Sequence, residues 1–253
     1  MSFLHKLGLV GVRPFSRMAP VNRHPLHGNG VHAAGPGFAP LNSPRSAEMQ
    51  EITRTSKGLK EFLWNLEGLG RGSLLDLGPV WQTTLSFFIE RGFRVTAEDL
   101  LGAWKDFSGE EEKHLQAASG GPLDTAVDRT PEGRAVRFLE GNLRYPAASF
   151  DAVLMWDLLD YLEPPLARRV VSVVSEAVRP GGVVFAMFHS RKPATFHRYR
   201  VADSMTLQML PAAEFVPAQR VYQNREIQDL FGQYRSMKSL VSRDQFREVL
   251  FIK

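Results

Sequence analysis

The chain has 253 residues, of which 43% are hydrophobic and none is cysteine. This length and hydrophobic content are sufficient for a globular domain with a sizeable core. The absence of cysteine excludes disulfides, thiolate metal sites and cysteine nucleophiles. No apolar run approaches the roughly 18 residues that a membrane span needs. We therefore expect a cytoplasmic protein with no membrane partner.

The formal charge of +4 is unevenly distributed along the chain. Residues 1–47 contain no acidic residue and carry a net charge of +5. Their basic residues are Lys6, Arg13, Arg17, Arg23 and Arg45. The remaining residues, 48–253, carry a net charge of −1. A body with so little charge lacks the electrostatic surface that binds a phosphate backbone, so no nucleic-acid partner is expected.

Residues 1–47 are rich in glycine, proline, histidine and arginine and show no periodicity. Such a segment cannot bury enough apolar surface to offset its ordering entropy, so we predict a disordered basic tail. Arginines without acids are also typical of a transit peptide, although the prolines disfavour the amphipathic helix that such a peptide forms. His24, His27 and His32 have no acidic or thiolate partner in the tail, so no metal site is predicted.

A single domain is predicted over residues 48–253, and it begins with alternating helices and strands. Apolar residues at helical spacing predict a helix over residues 48–66. A short apolar run at residues 73–78 predicts a strand, and a helical pattern separates it from a second strand at residues 93–97. Strand, helix and strand in this order form a βαβ unit.

The middle of the domain continues the alternation. A helix is predicted at residues 108–118, and strands are predicted at residues 135–139, 150–156 and 183–188. A helix over residues 165–178 precedes the last of these strands. Alternating strands and helices predict a parallel sheet with helices on both faces.

The C-terminal part has a different pattern. Residues 191–222 are predicted to form a small inserted hairpin, and Asn224 is predicted to cap a helix. Two strands at residues 234–241 and 246–252 are joined by so short a turn that they must be antiparallel.

Five short motifs occur along the predicted domain. They are LLDLG at residues 74–78, ED at 98–99, GN at 141–142, SFDAVL at 149–154 and RPGG at 179–182. In sequence and order they resemble the motifs of class I S-adenosylmethionine-dependent methyltransferases. Asp99 also follows Asp76 by 23 positions, a spacing that is common in that family.

The resemblance implies an α/β fold with a Rossmann-like, seven-stranded methyltransferase sheet, mostly parallel with an antiparallel C-terminal hairpin. It implies S-adenosyl-L-methionine as the cofactor and a small-molecule acceptor, which the inserted hairpin at residues 191–222 would cover.

Two polar residues are candidates for binding the cofactor. Asp99 stands at the carboxyl edge of a predicted strand, where a carboxylate accepts hydrogen bonds from both ribose hydroxyls; alternatively it only starts the next helix. Asn142 has an amide that can meet the adenine edge; alternatively it is a turn residue. The resemblance also assigns to the cofactor pocket Asp76, Gly78, Val80 and Met155.

The loop after the first of these motifs departs from the family's pattern. A Gly-x-Gly-x-Gly sequence would place glycines at 78, 80 and 82, where this chain has Gly78, Val80 and Gln82. Glycine adopts positive φ at low cost and lets the backbone approach a ligand closely, whereas Val80 is stiff at χ1. The loop either follows a different path around the cofactor or fills the pocket with side chains such as Trp81. Because Val80 and Thr83 replace its glycines, a dinucleotide fingerprint is disfavoured.

Methyl transfer mainly requires alignment of a nucleophile with an activated methyl group, so a universal acid or base motif is not expected. Asp157 either orients an acceptor or acts as a base; alternatively it only caps the helix that begins at Leu158. His189 either accepts a proton or is a structural hydrogen-bonding residue. Tyr161 is interpreted as a packing residue.

The leading hypothesis is a methyltransferase that acts on a small molecule, and the alternative is a catalytically silent relative that serves as a binding or regulatory module. An open crevice beside Asp99 would favour the enzyme, whereas Trp81 or Val80 packed into the crevice would favour the silent module. Nucleic-acid methylation guided by the basic tail is a third and weaker alternative.

Overall fold

A computed structural model describes residues 52–117, 128–212, 216–242 and 246–253. The basic tail predicted at residues 1–47 lies outside these ranges, as do the first residues of the helix predicted at 48–66. No helix within the described ranges is long and apolar enough to cross a membrane.

Strands and helices alternate through most of the described chain. The strands are β1 Ile52–Thr55, β2 Gly72–Asp76, β3 Phe93–Ala97, β4 Phe150–Trp156, β5 Val178–His189, β6 His197–Val201, β7 Thr206–Pro211, β8 Ser236–Val241 and β9 Phe246–Ile252. The helices are α1 Lys57–Leu66, α2 Gln82–Ile89, α3 Leu100–Ala117, α4 Pro131–Asn142, α5 Pro164–Ala177 and α6 Asn224–Leu230.

The central sheet contains six of the described strands, in the order β3-β2-β4-β5-β9-β8. The pairs β3–β2, β2–β4 and β4–β5 are parallel, and β9 is antiparallel to both β5 and β8. The fold is therefore α/β with a mostly parallel central sheet. Because β2, β3 and β4 run in the same direction, their carboxyl ends meet at one edge, where a crevice forms.

The strand predicted at residues 135–139 is wrong, and the predicted count of seven strands falls to six in the described part of this sheet. The segment belongs to α4, whose first turn is capped by Thr130: its hydroxyl accepts a hydrogen bond from the backbone N–H of Gly133 at 3.1 Å. Ala135, Phe138 and Leu139 are buried at helical spacing. A short apolar run does not by itself distinguish a helix from a strand. The capping residue Thr130 is the sequence signal for a helix here.

The start of the helix predicted at residues 48–66 is also wrong. Residues Ile52–Thr55 form β1, and α1 begins only at Lys57, after Ser56, whose hydroxyl accepts a hydrogen bond from the backbone N–H of Leu59 at 2.9 Å. The β-branched residues of β1 suit an extended strand. This strand pairs with β7, which pairs in turn with β6, so the hairpin of β6 and β7 belongs to a three-stranded antiparallel sheet.

A hydrophobic core lies on each face of the central sheet. One core includes Trp104 of α3, Phe138 of α4 and Val170 of α5. The other includes Phe62 of α1 together with Tyr199 of β6 and other residues of the small sheet. The β6–β7 hairpin is thus part of a hydrophobic core.

A buried ion pair links β1 to the central sheet. Arg54 Nη2 lies 2.8 Å from Oε1 of Glu248 on β9, and both side chains are at most 5% exposed. The second oxygen of Glu248 accepts a hydrogen bond from the backbone N–H of Gly58 at 2.6 Å. A Cβ at Gly58 would lie 2.7 Å from the Cβ of Glu248, so the close approach of α1 to β9 requires glycine.

We expect Glu248→Ala to lower the free energy of unfolding by about 3–5 kcal/mol, because it leaves the Arg54 guanidinium buried without its carboxylate. Chemical denaturation measures the change. The matched control is Glu61→Ala, which removes the exposed ion pair of Glu61 with Lys238 and should cost less than about 1 kcal/mol. Equal losses in the two variants would contradict this prediction.

Candidate functional site

A small crevice lies at the carboxyl ends of β2, β3 and β4, and β6 covers it. Its lining residues are Leu77, Gly78, Pro79, Asp99, Leu101, Met155, Trp156, Asp157, Leu158, Phe196, His197, Arg198 and Tyr199. The structure thus brings together at one place four of the predicted site residues, Gly78, Asp99, Met155 and Asp157, with Asp76 directly behind them. The cavity volume is about 30 Å³, which is space for about one water molecule.

Asp76 ends β2 and is 2% exposed. Its Oδ1 accepts hydrogen bonds from the backbone N–H of Gly78 at 2.9 Å and from Nε1 of Trp156 at 2.7 Å. Burial raises the pKa of Asp76 to about 6. A Cβ at Gly78 would lie 2.6 Å from Nε1 of Trp156. The indole of Trp156 therefore occupies the space that the glycine leaves beside the loop.

The backbone at Trp156 directs its side chain over this loop. Trp156 ends β4 with φ of 50°, a left-handed conformation that is uncommon for residues other than glycine. Its ring stacks on the ring of Tyr199, with centroids 5.9 Å apart and planes 9° from parallel. A strained backbone at the end of a strand often accompanies a functional site. Here it turns a large aromatic side chain into the crevice.

Asp99 lines the crevice and also accepts a hydrogen bond at the start of a helix. Its Oδ1 accepts a hydrogen bond from the backbone N–H of Gly102 in the first turn of α3, at 3.0 Å. Nη1 of Arg198 lies 2.9 Å and 3.1 Å from the two carboxylate oxygens. Arg198 belongs to β6 of the inserted hairpin, and it pairs with the carboxylate that was predicted to bind ribose.

The hairpin is fixed over the crevice by buried contacts. Tyr199 and Val201 of β6 are 3% and 1% exposed. The backbone N–H of Val201 donates a hydrogen bond to the buried hydroxyl of Thr84 on α2 at 3.0 Å. The hairpin therefore closes the crevice as a packed part of the protein.

The loop residues that were considered as plugs do not fill the crevice. Val80 is 62% exposed, and Trp81 is the half-buried residue at the N-terminus of α2. The side chains that fill the space are instead Trp156 and, from β6, Arg198 and Tyr199. Sequence reasoning missed Trp156 as an occupant, although its position directly after a buried strand was the signal that placed it at this edge.

Asn142 lies away from the crevice. The strand predicted just before it, at residues 135–139, is part of the helix α4, and Asn142 is the last residue of that helix. The side-chain amide donates a hydrogen bond to the carbonyl of Phe138 at 2.8 Å, and Asn142 does not line the crevice. In this structure its amide terminates a helix.

Asp157 adds an ionisable group at the far wall of the crevice. Its side chain does not cap the following 3-10 turn, Leu158–Tyr161, and it accepts a hydrogen bond from the hydroxyl of Tyr199 at 2.9 Å. Nε2 of His189 lies 3.8 Å from the same oxygen, Oδ2. Burial is the main reason that the pKa of Asp157 rises to about 7, and it also raises the pKa of Tyr199, which remains a donor.

His189 pairs with a residue that sequence reasoning did not select. Its Nδ1 lies 2.9 Å from Oδ2 of Asp160, which is fully buried. Asp157 immediately precedes the 3-10 turn and Asp160 lies within it, three positions later, a spacing that places side chains on one face. That spacing was the available signal. Together these residues form an acid–base cluster, consisting of Asp157, Asp160, His189 and Tyr199.

No protein-family model matches this chain, and no curated protein sequence matches it. The chain is similar to solved methyltransferase structures. The 1,6-didemethyltoxoflavin-N1-methyltransferase of Burkholderia thailandensis, with bound 1,6-didemethyltoxoflavin and S-adenosylhomocysteine, is 14% identical, with 78% of this chain and 79% of that chain covered and a TM-score of 0.40. An S-adenosylmethionine-dependent methyltransferase of Clostridium acetobutylicum is 15% identical, with 79% and 92% covered and a TM-score of 0.42. One of Mesorhizobium loti is 16% identical, with 76% and 96% covered and a TM-score of 0.40.

The raised pKa of Asp157 predicts a pH-dependent stability. Between its ordinary value of 3.8 and about 7, the folded protein holds a proton on Asp157 that the unfolded chain releases. This contribution is fully present below pH 3.8 and is lost as the pH rises through about 7, with a limiting slope of about 1.4 kcal/mol per pH unit. We expect Asp157→Asn, which is neutral throughout, to lack this contribution when unfolding is measured between pH 4 and 8.

The control is Asp203→Asn. Hydrogen bonds from the backbone N–H of Met205 and from Thr206 lower the pKa of Asp203, so its stabilisation is present at neutral pH and is lost only in acid. The difference between wild type and Asp203→Asn should therefore be flat between pH 5 and 8. A flat difference for Asp157→Asn over the same range would contradict the assignment of Asp157 as a carboxyl that is protonated on folding.

Proposed function

We propose that this protein is an S-adenosylmethionine-dependent methyltransferase that acts on a small-molecule acceptor. The observation that supports the proposal is the convergence of Asp76, Gly78, Asp99, Met155 and Asp157 around one crevice at the carboxyl edge of a parallel sheet. Ligands of open α/β sheets bind at this edge. An acid–base cluster directly beside a nucleotide-binding edge suits the deprotonation of an acceptor.

The side chains that line the crevice suit S-adenosylmethionine, but the cavity is too small to hold it. Asp99 offers a carboxylate at a strand end, where a ribose binds, and Gly78 keeps the neighbouring backbone free of a Cβ. A cavity of about 30 Å³, however, is far below the roughly 300 Å³ at which small-molecule pockets begin. S-adenosylmethionine therefore fits only after side chains that fill the crevice, Arg198 and Trp156 among them, have moved.

The closed crevice favours a second candidate, the catalytically silent binding or regulatory module. In this function the hairpin is a permanent occupant, and Arg198 neutralises Asp99 in place of any ligand. The burial of Tyr199 and Val201 in a hydrophobic core supports a permanent closure. The two candidates differ in whether the crevice opens for S-adenosylmethionine.

We expect S-adenosylmethionine to bind wild-type protein with an affinity on the order of micromolar, about −8 kcal/mol. Asp99→Ala should abolish the binding, because no other carboxylate in the crevice is placed to accept the ribose hydroxyls. Asp99→Asn keeps the acceptor for the N–H of Gly102 and should only weaken binding. Isothermal titration calorimetry measures all three. No binding by wild-type protein at millimolar cofactor would exclude the methyltransferase and leave the silent module.

We also expect Arg198→Ala to strengthen the binding of S-adenosylmethionine, up to about fivefold, because Asp99 no longer has to exchange its ion pair for the ligand. The matched control is Arg179→Ala, which removes the ion pair of Arg179 with Asp151 at the other end of the sheet and should leave the affinity unchanged. Weaker binding in Arg198→Ala would show that Arg198 contacts the ligand, contrary to its assignment as a competitor.

A further inference from the structure

A hydrogen-bonded pair of buried residues lies behind the wall of the crevice, where β4 and β5 end. Asp160 is fully buried in the 3-10 turn after β4, and His189, the last residue of β5, is 6% exposed. Neither residue lines the cavity, but Asp157 lies between His189 and the cavity. Burying a carboxylate and an imidazole costs free energy unless they are hydrogen-bonded. The way in which these two groups satisfy each other therefore fixes their orientation.

A single oxygen of Asp160 lies within hydrogen-bond distance of two nitrogens of His189. Oδ2 lies 2.7 Å from the backbone nitrogen of His189 and 2.9 Å from its ring nitrogen Nδ1. The backbone N–H is always a donor, so this oxygen is held as an acceptor; burial raises the pKa of Asp160, and the two contacts with His189 oppose that rise. The ring therefore donates through Nδ1, and in the neutral imidazole Nε2 keeps its lone pair.

Neighbouring groups hold both partners in this arrangement. The carbonyl of Asp160 accepts hydrogen bonds from the backbone N–H groups of Gln219 and Arg220, at 2.8 and 3.1 Å. The ring of Phe246 packs against the imidazole of His189, with centroids 4.5 Å apart. With the turn and the ring fixed, the direction of Nε2 is also fixed.

Nε2 points to the wall of the crevice. It lies 3.8 Å from Oδ2 of Asp157, the oxygen that also accepts the hydrogen bond of Tyr199. We infer that Asp160 is a positioning residue that holds His189 in the Nδ1–H tautomer, so that Nε2 presents a proton-accepting lone pair to Asp157.

This arrangement specifies the kind of acceptor, a point that rests on the proposed methyltransferase function. The acceptor has an N–H or O–H group that must lose its proton. When that bond breaks with Asp157 ionised, its electron pair stays on the heteroatom, Asp157 takes the proton and passes it to Nε2, and Asp157 becomes a carboxylate again. His189 becomes a cation between two carboxylates, those of Asp157 and Asp160, which stabilise it.

The tautomer of His189 is measured directly by long-range ¹H–¹⁵N NMR on protein with ¹⁵N-labelled histidine and no added ligand. Comparison with His189→Gln assigns the resonances, and His197 of β6 serves as an internal reference. We expect a pyrrole-like Nδ1 and a pyridine-like Nε2 for His189 in wild type. Asp160→Asn should keep this pattern, because its amide oxygen accepts both hydrogen bonds, and Asp160→Ala should lose it while His197 stays unchanged.

A wild-type His189 with its proton on Nε2, or an Asp160→Ala protein that keeps the Nδ1–H pattern, would overturn the inference. Should Asp160→Ala not fold, the other two spectra decide: the Nδ1–H pattern in both supports the positioning role, and any other pattern in either overturns it. Because no cofactor is present, failure of S-adenosylmethionine to bind would reject the proposed function and leave the tautomer result unaffected.

Discussion

The hydrogen bond from Trp156 to Asp76, at 2.7 Å, is the contact on which the rest of the crevice depends. It joins the ends of the neighbouring parallel strands β4 and β2, and the left-handed backbone at Trp156 makes it possible. With the indole fixed against Gly78, its outer face becomes the surface on which Tyr199 stacks. The position of Tyr199 then brings its hydroxyl to Asp157. One interaction thus links the loop after β2, the inserted hairpin and the acid–base cluster.

Each of the three carboxylates at this edge is satisfied in a different way. Asp76 has only neutral N–H donors, so burial dominates and its pKa rises. Asp99 has a cation, Arg198, and Asp157 has a neutral hydroxyl with an imidazole further away. A cation stabilises an ionised carboxylate more than a neutral donor does. The carboxylate nearest solvent, Asp99, is therefore paired with a cation, whereas the buried carboxylates Asp76 and Asp157 have raised pKa values.

The sequence predicted the elements that have strong periodicity and clear ends. The strand Phe93–Ala97 is confirmed with its predicted bounds, and Phe246–Ile252 likewise. The errors at residues 135–139 and 52–55 occurred where a short segment fits either structure and the deciding signal is a cap, Thr130 or Ser56. Local sequence patterns do not show which strands pair with each other, so the pairing of β1 with β7 could not be predicted.

The candidate site was predictable only in part for the same reason. Asp99 and Asp157 follow strands, and the edge of a parallel sheet brings such residues together wherever the strands are correctly placed. Arg198 and Tyr199 reach the crevice from a separate sheet, through contacts far apart in the chain. Only the tertiary packing of that sheet determines which of its alternating side chains faces inward.

Two of the side chains that fill the crevice, Arg198 and Trp156, differ in the free energy needed to move them. The ion pair of Arg198 with Asp99 is partly solvated, with side chains 24% and 34% exposed, and such pairs contribute about 1 kcal/mol or less. Trp156 is 4% exposed, and moving it would break its bond to buried Asp76 and expose aromatic surface, which costs several times more. A ligand therefore replaces Arg198 more readily than Trp156, so the end of the crevice beside Asp99 opens more easily than the end beside Gly78. Whether the protein is an enzyme or a silent module is decided at the indole of Trp156, because Gly78 becomes accessible to a cofactor only when that indole moves.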